Sequence, residues 1–175
     1  MASVVFMRGV NVGGHKSFRP SVLAKELADL GVTNIGAAWT FVVRARISQA
    51  SLRAELLKAL SFKPELIICP AREVIAVAAS EPFRGALPES KDLRHYVTVM
   101  PKPLRTRPRL PLKQPAGRKW EVKIIDITGQ FVLSLWRRMG KATVYPNTVV
   151  EKQFTVPATT RNWNTISAIC DVLEK

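Results

Sequence analysis

The sequence predicts an α+β protein made of two successive units of mixed strands and helices. Three observations carry that expectation. Apolar runs of strand length alternate with segments in which leucine recurs at helical spacing. Over the first 80 residues the order is strand, helix, strand, strand, helix, strand. A loop holding Pro82, Gly85 and Pro88 then separates this series from a second one, which places the units at residues 1–80 and 90–175. At 175 residues and 47% hydrophobic content the chain can bury a core for one ordinary domain or two small ones.

Val4-Val5-Phe6-Met7 is an apolar run fit for a buried strand. Pro20 suits a first helical position, Leu23, Leu27 and Leu30 form a helical stripe, and Gly31 supplies its stop. Residues 33–37 and 40–44 read as strands around a bend. Leu52, Leu56, Leu57 and Leu60 mark a second amphipathic helix, and residues 65–69 a strand ending at Pro70. This order is that of a ferredoxin-like unit, in which two helices cover one face of a four-stranded antiparallel sheet and leave the other to be covered or used. A short helix with Val74, Ile75 and Val77 follows. In the second series, residues 96–100 form a strand, and residues 119–127 pair with 131–136 through Thr128-Gly129-Gln130. Residues 147–154 are a short helix, and Ile166, Ile169, Cys170 and Leu173 give the last helix its apolar face.

The formal charge is +14, and it is uneven: residues 1–91 hold twelve basic against seven acidic side chains, residues 92–175 fifteen against six. No acid lies between Asp92 and Glu121, a gap that contains Arg94, Lys102, Arg105, Arg107, Arg109, Lys113, Arg118 and Lys119. Within it, residues 101–117 carry Pro101, Pro103, Pro108, Pro111 and Pro115, which predicts an extended, mobile loop with neither helix nor strand. Uncompensated charge attracts polyanions over a Debye length of about 8 Å at physiological salt. The expected partner is nucleic acid or a comparable polyanion, held by Arg105, Arg107, Arg109, Lys113, Arg118 and Lys119, with Arg137 and Arg138 after the hairpin. A solvated loop of a basic protein accounts for the same composition, and the aromatic-rich strand motif of sheet-based RNA binders is missing.

Two polar segments stand apart from the apolar pattern. Arg8-Gly9-Val10-Asn11-Val12-Gly13-Gly14-His15-Lys16 joins a strand to a helix, so its glycines can turn backbone N–H groups toward an anion, with Arg8, His15 and Lys16 adding side-chain donors. Its spacing is neither a P-loop nor a dinucleotide fingerprint, and a glycine turn capped by Asn11 explains it equally well. The second is Thr159-Thr160-Arg161-Asn162-Trp163-Asn164-Thr165, of which Arg161 to Thr165 opens the last helix. There Asn162 or Asn164 serves as an N-cap and Trp163 as a packed ring, yet the set holds more donors than one cap requires. Brought together, Arg8, Asn11, Gly13, Gly14, His15, Lys16, Arg161, Asn162 and Asn164 would form a cationic pocket for a phosphate or carboxylate. That is the alternative reading, a small-molecule enzyme or sensor. A third is an interaction protein assembled through a sheet edge.

These two segments resemble the signatures of the domain-of-unknown-function family 1697 of small bacterial proteins, and the pattern between them is similar as well. The resemblance implies two ferredoxin-like (α/β plait) halves packed together and brings no established reaction. One stretch departs from it: members commonly carry a Ser-Gly-Asn-like turn before the third strand, where this chain has Ile35-Gly36-Ala37-Ala38-Trp39-Thr40-Phe41. Trp39 there packs, plugs a cleft or stacks on a ligand.

Other classes are disfavoured. No stretch approaches the roughly 20 apolar residues of a membrane helix, and the opening residues lack a basic region and cleavage site, so the expected location is the cytoplasm. Cys69 and Cys170 sit in apolar runs without ligand spacing, and His15 and His95 have no metal-binding partner pattern. No metal or cofactor is expected. His15 as acid or base beside Lys16 and Arg8 is the least strained catalytic proposal.

Overall fold

The computed structural model describes residues 1–10, 19–140 and 144–175. Among these it contains two antiparallel sheets and five α-helices, so the protein is of mixed α/β construction. It divides into two compact units, Met1–Ala76 with Ser167–Lys175, and Val77–Ile166.

In the first unit, β1 (Ser3–Arg8) leads to α1 (Pro20–Glu26), which starts at Pro20 as its missing N–H allows. A 3₁₀ turn, Ala28–Leu30, extends it, and Gly31 ends it in the left-handed region at φ +61°. Then come β2 (Val32–Asn34), β3 (Thr40–Val43), α2 (Gln49–Ala59), β4 (Glu65–Pro70) and α3 (Ala71–Ala79). Ser48 caps α2, its side chain accepting the Ser51 N–H. The sheet order is β2-β3-β1-β4, each neighbour antiparallel. Alternation divides its side chains between two faces. Val5, Met7, Phe41, Val43, Leu66 and Ile68 pack against Leu23, Leu27, Leu52 and Leu56 of the helices. Each of the larger side chains gains ~1.5–3 kcal/mol by leaving water. The other face, with Val4, Phe6, Val42, Ile67 and Cys69, is buried too, so it is not a free platform.

Gly31 has a structural reason that can be tested. A Cβ there would lie 3.1 Å from the Arg44 Cβ, on a backbone already left-handed. Gly31→Ala is expected to lower stability by ~1–2 kcal/mol, read as a drop in the urea midpoint at unchanged slope.

The second unit runs β5 (Leu93–Val99), β6 (Leu112–Gln114), β7 (Val122–Thr128), β8 (Phe131–Arg137), α4 (Pro146–Phe154) and β9 (Thr159–Asn162), from which α5 (Trp163–Leu173) departs. Its sheet order is β6-β7-β8-β5-β9. Apart from β6, this is the permutation of the first sheet, but the crossover from β5 to β7 is made by the proline-rich segment where the first unit has α1. One face carries Val122, Ile124, Val132 and Trp136 beneath Val149 and Val150 of α4.

Three expectations are corrected here. The proline-rich segment does contain a strand: β6 fits between Pro111 and Pro115, at the sheet edge, where proline's missing N–H breaks no inner ladder. The segment is also a docked strap, because Leu104, Leu110 and Leu112 pack onto the core of the sheet. Finally, the polar residues Thr159–Asn162, in which no strand was expected, form one that runs directly into the last helix. It pairs with β5, and the Thr98 and Thr160 hydroxyls hydrogen-bond at 2.7 Å.

Candidate functional site

The terminal segments use many of their polar groups internally. Arg8 donates to Glu65 at 2.6 Å, its cross-strand partner on β4, so it meets solvent as half of an ion pair. Asn11, Gly13, Gly14, His15 and Lys16 lie outside the described residues, as does their expected meeting with Arg161. Arg161 is buried at 7% exposure, and its guanidinium donates to the Thr159 hydroxyl at 2.7 Å and the Thr160 carbonyl at 2.9 Å. Loss of water pulls its pKa down to about 10. Asn162 is the helix cap: its Oδ1 accepts from the Thr165 N–H at 2.9 Å and the Thr165 hydroxyl at 2.8 Å. Asn164 is exposed. Trp163 packs edge-on to Phe83 at 5.1 Å, and Trp39 edge-on to Phe41 at 6.4 Å and Phe62 at 5.9 Å, so both rings pack against other aromatics.

His95 is equally committed. Its ring stacks on Phe83 at 4.3 Å, and its Nε2 lies 2.8 Å from the Leu87 carbonyl, an oxygen that can only accept. Nε2 is therefore the donor in this contact. Burial raises the Cys69 thiol far above its ordinary value, which makes it a poor nucleophile. Among the described residues no cluster of His, Cys, Asp and Glu could hold a metal ion. None of their helices is long and apolar enough to cross a membrane.

The cations of the second unit fall into two groups. Arg107 is paired with Asp126. Arg137 lies over the Trp120 ring at 4.2 Å and donates to the carbonyls of Trp120 at 3.1 Å and Arg118 at 2.7 Å, fastening the end of the strap. These two act structurally. By contrast, Arg105, Arg109, Lys113, Arg118, Lys119 and Arg138 meet no carboxylate within 4 Å among the described residues. All but the half-buried Lys113 are exposed. Because the strap is docked through its leucines, these charges are held on a defined surface rather than on a free chain.

The structure adds aromatic residues that sequence inspection missed. Tyr145, just before α4, is 51% exposed and stacks on Trp136 with ring centroids 5.7 Å apart and planes 5° from parallel. Tyr96 of β5 meets the same indole edge-on at 6.1 Å. Trp136 is fixed beneath by core packing and by its Nε1–H, which donates to the Val144 carbonyl at 3.0 Å. Arg94, exposed, lies directly opposite Trp136 in the β5–β8 register, and Arg138 follows β8. Burial raises the Tyr96 phenol pKa, Tyr145 and Glu89 add to the rise, and Arg94 opposes it. The Glu89 carboxylate itself accepts the His95 N–H at 2.8 Å. A flat, supported ring on a basic surface can stack an unpaired base while cations contact its phosphates.

Among known proteins, the family described as protein of unknown function (DUF1697) matches residues 1–128. The solved structure of conserved bacterial protein SP0830 from Streptococcus pneumoniae superposes with a TM-score of 0.58 at 18% identity, covering 99% of this chain and 98% of that one. It shares the fold. No curated protein matches the chain.

Proposed function

We propose that this chain, which belongs to the DUF1697 family, binds single-stranded nucleic acid through its second unit. Phosphates are held by Arg105, Arg109, Arg118 and Lys119 of the strap and by Arg94 and Arg138, and a base stacks on Tyr145. The observation that carries this reading is the half-exposed Tyr145 ring backed by Trp136, with Arg94 on β5 and Arg138 just after β8 meeting no carboxylate within 4 Å among the described residues. We read both units as ferredoxin-like plaits, supported by the recurring strand permutation, with the strap in place of one helix.

Fluorescence anisotropy with a labelled oligonucleotide tests the function. A single strand should bind more tightly than a duplex of equal length, and log Kd should rise linearly with log salt. Tyr145→Ala should weaken single-strand binding roughly tenfold or more and barely alter duplex binding. Salt-independent binding, or equal losses on both forms, would count against the proposal.

A further inference from the structure

Beside the strap lies a groove of about 630 Å³, a size that accommodates a small organic ligand. Pro101, Pro103 and Leu104 form one wall, and Phe154, Val156 and Pro157 the other. Leu104, Phe154 and Val156 also pack on the core of the sheet, so the groove floor continues into the apolar interior. Its polar lining is Lys102, Arg105 and Thr106, with no acidic side chain among the described lining residues. Between the wall residues Phe154 and Val156, Thr155 closes α4 at φ +53°, ψ +46°. A β-branched residue rarely adopts this left-handed conformation, and such strain persists where the surroundings impose it, often at ligand sites. Here it turns the chain so that Phe154 and Val156 face the same groove. Prolines on both walls limit the freedom lost when a ligand binds.

We infer that this groove binds a small anionic amphiphile, an acyl or aryl carboxylate, with the apolar body between the walls and the carboxylate on Lys102 and Arg105. Charge complementarity selects the class. Two cations without a carboxylate partner among the described residues border an apolar trough, which suits a ligand with one anionic head and disfavours a neutral or cationic head. The inference does not rest on nucleic-acid binding: it shares Arg105 with that reading, but neither Tyr145 nor Trp136 lines the groove.

Isothermal titration of the whole chain with decanoate, decanol, dodecyltrimethylammonium and inorganic phosphate provides the test. Decanoate should bind one to one; decanol and phosphate should bind at least roughly tenfold more weakly, and the cationic amphiphile should not bind. Lys102→Gln with Arg105→Gln should bring decanoate down to the affinity of decanol and leave decanol unchanged. In the unsubstituted chain, decanoate should shift the NMR amide signals of Leu104 and Val156 and leave those of Trp136 in place. No saturable decanoate binding, equal affinity for decanoate and decanol, uptake of many molecules per chain, or shifts centred elsewhere would each overturn the inference. None of these results bears on the Tyr145 experiment, so the two readings fail separately.

Discussion

Reversing three strap cations together, Arg105→Glu, Arg109→Glu and Arg118→Glu, should weaken oligonucleotide binding by about two to three orders of magnitude near physiological salt. It should also flatten the slope of log Kd against log salt by about two to three. The choice of residues follows from their surroundings. All three are exposed and meet no carboxylate within 4 Å among the described residues. A glutamate at Arg107 would instead confront Asp126, and one at Arg137 would unfasten the Trp120 and Arg118 carbonyls, so either would mix a folding effect with a binding effect. Exposed substitutions away from such contacts usually change stability by no more than about 0.5 kcal/mol, so the triple variant should remain folded. Unchanged affinity at matched salt would dismiss the strap as the phosphate-binding surface.

Trp136→Ala should remove about 3–5 kcal/mol of stability, a large share of the roughly 5–15 kcal/mol typical of a whole domain. The indole is 5% exposed, packs with Val122, Val149 and Val150, and backs two tyrosines. Its removal opens a cavity beneath α4, deprives the Val144 carbonyl of its donor and takes away the support of the Tyr145 ring. Trp136→Phe keeps most of the packing and loses mainly the hydrogen bond, so its cost should be nearer 1–2 kcal/mol. Denaturant titrations of the two variants separate these contributions. An alanine variant as stable as the parent would mean that the ring is not the keystone of that core.

How far the sequence disclosed this arrangement depended on whether local pattern and tertiary role agreed. β1, α1, α2 and β4 were readable because apolar periodicity, Pro20 and Gly31 point to the same elements that packing then uses. β9 was hidden because its residues are polar. The Thr98–Thr160 hydroxyl pair and the bonds from Arg161 to the Thr159 hydroxyl and Thr160 carbonyl let such groups occupy a sheet. β6 was masked by flanking prolines that an edge position tolerates.

The candidate site divides in the same way. The absence of acids between Asp92 and Glu121 exposed the strap cations to inspection. Composition could not show that Asp126 folds back onto Arg107 or that Trp120 lies under Arg137. The tyrosine platform needed the fold itself. Tyr96 and Trp136 come to one face only through the β5–β8 register, and Tyr145 joins them at the entrance to α4. A half-exposed tyrosine beside a helix-initiating proline is a faint local signal at best.

The rim of the second sheet has its own consequence for self-association. β6 is three residues long, is bounded by proline on either side, and sets Lys113 directly across from Lys123. An incoming strand from another copy would find few ladder positions and two like charges that its own backbone cannot neutralise. A sheet that ends this way is protected along that border against extension into fibres, even at the protein concentrations where an unguarded strand would recruit its neighbours.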